Sequence, residues 1–293
     1  MKRCVKKMNK KFAVFILSHG RADNIKTLKT LKAANYTGDW FIIIDNEDKT
    51  ADEYYKRFGE DKVIMFDKLA KSKEFDTADN FSDRRTIVYA RNACFDIAEE
   101  LGYDYFLELD DDYTSIGHRL VKDGKFIEVH SRQADRLFEA MLDFLDATGA
   151  ITVAFAQGGD FIGGAESKFY QKGISRKAMN TFFCSVKNRF DFLGRVNEDV
   201  NTYTHLGSQG ELLFTITKAS ITQVTTQASS GGMTEQYLDS GTYIKSFYTV
   251  MFMPSAVDIR MMGHLHKRLH HRVNWNRTVP KIIDEKYKKG VLK

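Results

Sequence analysis

The stretch Tyr103-Asp104-Tyr105-Phe106-Leu107-Glu108-Leu109-Asp110-Asp111-Asp112 decides how this chain is read. It is an apolar strand that runs without a break into three aspartates. Tyr103, Tyr105, Leu107 and Leu109 fall on one face and Phe106 on the other. The strand is therefore expected to be covered on both sides, as in a parallel sheet flanked by helices. Three adjoining carboxylates repel one another unless a cation sits among them. Oxygen-only ligands suit a hard divalent ion such as Mg²⁺ or Mn²⁺. In open α/β sheets ligands bind outside the carboxyl ends of the strands, which is where this cluster falls. The same residues also describe a solvated acidic turn, and the flanking segments have to separate the two.

Upstream, residues 12–17 form an apolar run that ends in Ser18-His19-Gly20-Arg21. Asp23 suits the N-cap of a helix carrying Ile25, Leu28 and Leu31. Residues 40–44 read as a second strand ending in Asp45, and 63–66 as a third ending in Asp67. A helix over 84–101 places Ile87, Ala90, Cys94, Ile97, Ala98 and Leu101 on one face, with Gly102 as its stop. Strands and helices alternate, and three strands deliver a carboxylate at the same end. The expected fold class is α/β, a Rossmann-like, mostly parallel central sheet with helices on both faces. No G-x-G-x-x-G follows the first strand and no G-x-x-x-x-G-K-S/T occurs anywhere, which argues against dinucleotide and P-loop chemistry. A nucleotide would have to be held through a metal.

Downstream, 122–125 is a polar turn, 132–148 an amphipathic helix with Leu137, Met141, Phe144 and Leu145 inward, and 151–156 a strand. That strand opens into Gly158-Gly159-Asp160-Phe161-Ile162-Gly163-Gly164, either a loop that closes on substrate or a plain surface loop. A strand over 178–186 precedes Leu193-Gly194-Arg195-Val196-Asn197-Glu198-Asp199-Val200. Residues 212–217 and 221–225 read as a strand pair, 227–236 as a second polar loop, 242–253 as a helix and 256–261 as a late strand. Four of the eight histidines follow, in His264-Leu265-His266-Lys267-Arg268-Leu269-His270-His271.

A hydrophobic content of 43% with 13% aromatics supports a substantial core and argues against disorder. No apolar run approaches the length of a membrane span, and the basic start leads into a strand-like segment rather than a signal peptide. Three widely spaced cysteines, Cys4, Cys94 and Cys184, fit a reducing compartment without a zinc site. A soluble, cytoplasmic protein is expected. The net charge of +5 gathers at both ends, where lysines either hold nucleic acid or are simply solvated. One domain is expected over 1–293, with a nucleotide-binding half over about 12–120 and an acceptor half with a C-terminal extension over about 121–293.

Arg91-Asn92, followed by the helix, Gly102 and Leu109-Asp110-Asp111-Asp112, resembles the core of GT-A fold glycosyltransferases, in which such a helix leads into the strand bearing the D-x-D motif. Ile16-Leu17-Ser18-His19-Gly20-Arg21 is similar to that fold's first strand and Arg-containing loop, and Asn197-Glu198-Asp199 to its x-E-D motif. The late histidines sit where the fold usually supplies a last metal ligand. Within that fold, Gly194-Arg195-Val196-Asn197-Glu198-Asp199-Val200-Asn201, Met262-Gly263, His270-His271-Arg272-Val273-Asn274-Trp275 and Val279-Pro280-Lys281-Ile282 resemble the TET-associated glycosyltransferases, encoded mainly by bacteriophages. The resemblance implies transfer of a sugar from a nucleotide sugar, a UDP-sugar foremost, to the hydroxyl of a 5-hydroxymethylpyrimidine in DNA, in the host cell cytoplasm.

On that footing Asp112 is expected as a direct ligand of Mn²⁺ or Mg²⁺, with Asp110 nearer the ribose or behind the ion and Asp111 turned toward the sheet. Ser18 lies in the loop that would meet the nucleotide. Asp45 and Asp67 lie where the donor's base and ribose would bind, or else cap neighbouring helices. Arg21 and Arg91 either hold phosphates or form salt bridges to these same aspartates. Asp199, preceded by Glu198, is the candidate general base, and a single base on the far side of the sugar implies inversion. Acidic residues at a helix start also simply favour its dipole. His270 or His271 either ligates the metal, contacts phosphate beside Lys267, Arg268 and Arg272, or is structural. Rival readings are a glycosyltransferase for polysaccharide, lipid or protein acceptors, a nucleotidyltransferase, and a non-catalytic basic DNA-binding protein.

Overall fold

The computed structural model describes residues 10–79, 81–224, 244–262, 267–279 and 281–288. Four parallel strands form one half of the main sheet: β1 (Phe12–Leu17), β2 (Asp39–Asp45), β3 (Val63–Phe66) and β4 (Tyr105–Asp110), in the order β3-β2-β1-β4. They are linked by α1 (Lys26–Ala33), α2 (Ala51–Phe58), α3 (Lys68–Lys71) and α4 (Val88–Glu100). All six residues of β1 are buried because helices cover both faces. Val14 and Ile16 join Leu107 and Leu109 in one core layer with Leu31 of α1 and Tyr54 of α2. Ala13, Phe15 and Leu17 join Phe106 in the other, against Ala93, Cys94 and Phe95 of α4. Continuous apolar runs are what a strand covered on both faces demands.

The second half is mixed. It contains β5 (Tyr113–Lys122), β6 (Lys125–His130), β7 (Thr152–Ala156), β8 (Ile174–Ser175), β9 (Phe182–Ser185) and β10 (Leu213–Gln223). The order continues β4-β9-β7-β10-β5-β6, with β8 on β10. Following the pairings, β1, β2, β3, β4, β6, β7 and β10 run one way, and β5, β8 and β9 run against them. Helices α5 (Ala134–Thr148), α6 (Lys168–Gln171) and α7 (Glu198–Ser208) complete this half. Beyond it lie α8 (Ile244–Phe252), the antiparallel pair β11 (Val257–Met262) and β12 (Arg268–Val273), and α9 (Trp275–Thr278). Among the described residues no helix is long and apolar enough to cross a membrane.

The chain leaves β1 outward to β2 and β3, then returns to place β4 on the other side of β1. Strand order therefore reverses between β1 and β4, and such a switch point opens a crevice at the carboxyl ends. Leu17 sits opposite Asp110 in the register, so Ser18 and the aspartates emerge side by side.

Several local expectations are corrected. Asp23 does not cap α1, whose N-cap is Ile25 with no side-chain bond. The first turn is instead satisfied by the turn after β4, with Thr27 N donating to the Asp111 carbonyl at 3.1 Å. The expected strand pair near 212–225 is the single strand β10, because 217–220 carries a register shift rather than a turn. Thr217 stays satisfied there, its N donating to the Gly173 carbonyl at 3.0 Å. The polar turn at 122–125 proves to be a hairpin tip joining β5 to β6, with Asp123 and Gly124 both at positive φ, the residues a tight primed turn requires. Helix α4 starts four residues later than expected, since Asp83 Oδ1 takes the Arg85 N–H at 3.0 Å and holds a turn there. Polar side chains that bond nearby backbone compete with helix in this way.

Candidate active site

The three aspartates have three different surroundings. Asp111 is 2% exposed and points back at the loop after β1. Its carboxylate accepts from Ser18 Oγ at 2.6 Å and from Arg21 Nη1 at 2.9 Å. Ser18 Oγ also meets Tyr54 Oη at 2.8 Å, and that phenol accepts the Arg21 N–H at 2.8 Å. Thr27 fastens the same turn from α1: its hydroxyl donates to the Asp110 carbonyl at 2.6 Å and accepts from Tyr113 N at 3.0 Å. Asp110 accepts from Arg91 Nη2 at 3.3 Å and from Gln223 Nε2 at 3.4 Å. Asp112 differs in that, among the described residues, its buried Oδ1 has no hydrogen-bond partner.

All three carboxyls are held above the ordinary range. Burial raises Asp110 to about 7, with Asp112, Asp111 and Glu198 adding to the rise and Arg91 opposing it. Burial also raises Asp111 and Asp112, against the pull of Arg21 on both. A buried carboxylate oxygen without a donor, inside a cluster resisting ionisation, is a donor set that suits a hard divalent cation. Among the described residues no three His, Cys, Asp or Glu side chains converge on one point. An ion here would accordingly take Asp112 and Asp110 from the protein and its remaining ligands from phosphate and water, a usual arrangement for Mg²⁺.

The two histidines are not brought into that cluster. They lie on β12, where His270 Nδ1 meets the His271 carbonyl at 2.8 Å and the rings are 4.4 Å apart. Burial, with His270 and Lys245 nearby, lowers His271 to about 4, and its buried Nδ1 has no hydrogen-bond partner.

At the ends of β2 and β3 the carboxylates are already engaged. Asp45 is buried between His19 Nδ1 at 2.8 Å and Lys68 Nζ at 3.1 Å, and also takes the Glu47 N–H at 3.1 Å. Burial alone would raise it, but the His19 bond and the Lys68 and His19 charges outweigh that and lower it. Asp67 is exposed and caps α3, accepting from Ala70 N at 2.9 Å. Arg21 and Arg91 each form a salt bridge to one of the aspartates at the carboxyl end of β4, Arg21 to Asp111 and Arg91 to Asp110.

Arg91 is the larger of these two. It is 1% exposed, yet its three nitrogens reach three carboxylates. Nε donates to Glu198 at 3.0 Å, Nη1 to Glu108 at 3.4 Å and Nη2 to Asp110 at 3.3 Å. Its flat cation packs 4.9 Å from the Phe182 ring and 5.8 Å from that of Phe192. Glu108 lies wholly inside the fold, where burial raises it to about 8 despite Arg91, and its Oε1 is unpartnered.

Helix α7 presents Asp199. Asn197 precedes it at φ 63°, with Nδ2 donating to Thr249 Oγ1 of α8 at 2.6 Å. Gly194, at φ 81°, packs so closely that a Cβ there would meet Asn201 Nδ2 at 2.4 Å. Arg195 clamps the same loop, its Nε on Asp79 at 3.0 Å and Nη2 on Tyr248 Oη at 3.1 Å. Asp199 is buried and, among the described residues, accepts the neighbouring Val200 N–H at 2.7 Å. Burial first, then Glu198, raise it to about 7, while Arg91 and Lys177 draw it down. Lys177 pairs with Asp160, and Asp160 also takes the Gln157 N–H at 3.0 Å. The glycine-rich segment is thus folded as short 3₁₀ turns beside the site. The second polar loop, 227–236, lies outside the described residues.

The family described as TET-Associated Glycosyltransferase matches residues 12–232, well over half of the chain. The chain belongs to that family. The alternation of strands, the aspartate cluster and the Glu198-Asp199 helix start are thus parts of a glycosyltransferase. No curated protein matches this glycosyltransferase. Among solved structures it is similar to glucosyl-3-phosphoglycerate synthase from Mycobacterium tuberculosis in complex with Mg²⁺ and UDP, at 9% identity over 90% of this chain and 88% of that one, TM-score 0.46. It is also similar to residues 1–349 of TarS from S. aureus, at 11% identity over 73% of this chain and 60% of that one, TM-score 0.41.

Two features of this glycosyltransferase escape a reading of the sequence. Glu108 alternates inside an apolar strand as a surface residue would, yet it is buried with Arg91 as its counter-charge. The clamp of Asp79, Arg195 and Tyr248 joins three distant segments, so no local spacing signals it.

Proposed function

We propose that this glycosyltransferase moves a sugar from a UDP-sugar to the hydroxyl of a 5-hydroxymethylpyrimidine in DNA. Asp112 and Asp110 hold Mn²⁺ or Mg²⁺, and Asp199 is the general base. The observation that carries the reading is the pairing of Asp112, whose buried Oδ1 lacks a donor, with a buried Asp199 held near neutrality at about 7. Arg91 ties Asp110, two residues before Asp112, to Glu198, the residue before Asp199. The acceptor class is supported by the family's association with TET.

When bound, the divalent ion supplies charge neutralisation at the leaving diphosphate. The protein's own groups do the rest. Asp199 accepts the proton of the acceptor hydroxyl as its oxygen bonds to the anomeric carbon, and the bond from that carbon to the diphosphate oxygen breaks. A carboxyl near 7 is poised for this at neutral pH, being basic enough to take a proton and acidic enough to be partly ionised. Attack from the side opposite the diphosphate inverts the anomeric centre. Within a duplex the acceptor base must first leave the stack.

The test is mass spectrometry of nucleosides from hydroxymethylcytosine-containing DNA after incubation with the protein, Mn²⁺ and a panel of nucleotide sugars. A gain of one sugar, lost with Asp112→Ala or on chelation, is the expected outcome. Donor turnover to free nucleotide without a modified base would discard DNA as acceptor. Undiminished transfer by Asp112→Ala would discard the metal assignment.

A further inference from the structure

We propose that Arg91 is a positioning residue that sets the charge and placement of the catalytic helix start by tying Glu198 to the donor-side Asp110. The inference rests on Asp199 being the base. Arg91 spends each guanidinium nitrogen on a different carboxylate: Nε on Glu198 of α7, Nη1 on Glu108 within β4 and Nη2 on Asp110 at its end. A planar fork can divide its donors in this way, whereas an ammonium presents a single point of charge. The Phe182 and Phe192 rings fix the plane of the fork. Arg91 does not touch the Asp199 carboxylate. It holds the residue beside it, and helix α7 begins at that residue.

The groups facing Asp199 come from three places. Glu198 precedes it on its own helix and disfavours its ionisation, and Tyr203 lies one turn further along. Arg91 reaches in from α4, and Lys177, paired with Asp160, from the segment ahead of β9; both cations favour the ionised form. Removing the Arg91 charge should therefore make Asp199 harder to ionise, and removing the Glu198 charge should make it easier. A strut that served folding alone would produce neither shift, and certainly not a pair of opposite sign.

The experiment is a carbon-13 carboxyl titration of the full-length, metal-free protein labelled at aspartate, with Asp199 assigned by its loss in Asp199→Asn. Arg91→Met is expected to move the Asp199 midpoint up by about half a pH unit or more, and Glu198→Gln to move it down by a similar amount. Arg91→Lys keeps the charge and should hold the midpoint within about 0.3 units of the parent. It should still lower kcat for UDP release from the nucleotide sugar about tenfold or more, since it cannot bridge three carboxylates. Should Arg91→Met fail to fold around the stranded Glu108, Arg91→Lys decides the matter, and an undiminished kcat there overturns the proposal. An unmoved midpoint in Glu198→Gln overturns the coupling. Undiminished donor turnover in Asp199→Asn overturns instead the base assignment, and leaves the coupling to stand or fall on the titration.

Discussion

The carboxylates at the ends of β2 and β3 and those between β4 and α7 are built from the same residue types and behave in opposite ways. On the first side Asp45 has His19 and Lys68. It has cations of its own and is held below the ordinary range. On the second side Glu108, Asp110 and Glu198 share Arg91, and Glu108, Asp110 and Asp199 are all pushed up. The first arrangement stores stability in satisfied pairs. The second leaves proton and cation affinity unspent, which is what a site needs if a ligand is to complete it.

The contrast breaks most sharply at Asp199. Asp199→Asn keeps the shape and removes the base, so sugar transfer should fall by about 10²–10⁴-fold, read as turnover at saturating donor. In the parent the acid limb of kcat should lie near 7, where Asp199 loses its proton. Stability should carry the opposite sign. A carboxyl raised in the folded state makes the fold most stable below the unfolded value of about 4, and stability is lost as pH climbs through about 7. Asp199→Asn should therefore unfold at a higher temperature than the parent at pH 8 while being inactive. An equal or lower temperature would mean that Asp199 belongs with the satisfied group.

The fold was largely legible because apolar runs and helical spacing are local signals. The apolar character of 105–107 with Leu109, and of 12–17, announced two-sided burial, and the aspartates followed at the carboxyl end. The start of α7 was legible for the same reason. What local pattern cannot carry is pairing across the chain. Arg91 looks alike in sequence whether it faces phosphate or Asp110. Asp67 looks alike whether it meets a ribose or caps α3. Asp23 has the composition of a cap, yet the turn after β4 takes over that duty for α1.

The satisfied side offers the second test, at smaller magnitude. Asp45→Asn leaves the Lys68 ammonium buried without its counter-charge, which typically costs about 3 kcal/mol. Because Asp45 is lowered in the folded protein, its contribution is fully present above the unfolded value of about 3.9 and lost as pH falls through the folded one. Thermal unfolding of Asp45→Asn and the parent should differ clearly at pH 7 and converge in acid, once pH has fallen through the lowered folded value. A difference that persisted unchanged into acid would show that the carboxylate's charge is not what matters there.

The smallest effect is expected at Asp67, and it sharpens the comparison from within one side. Asp67 is exposed, and its side chain accepts the Ala70 N–H at the start of α3. Asp67→Ala should cost about 1 kcal/mol, the usual value of such a cap, and Asp67→Asn or Asp67→Ser should recover most of it because amide and hydroxyl oxygens cap nearly as well. Donor affinity should stay within about twofold of the parent, measured by calorimetry with UDP and Mn²⁺. That last figure separates a cap from a ligand. If Asp67 met the donor's ribose or base, Asp67→Ser would restore stability and leave UDP binding impaired, and the ends of β2 and β3 would then be part of the site rather than the scaffold that holds it.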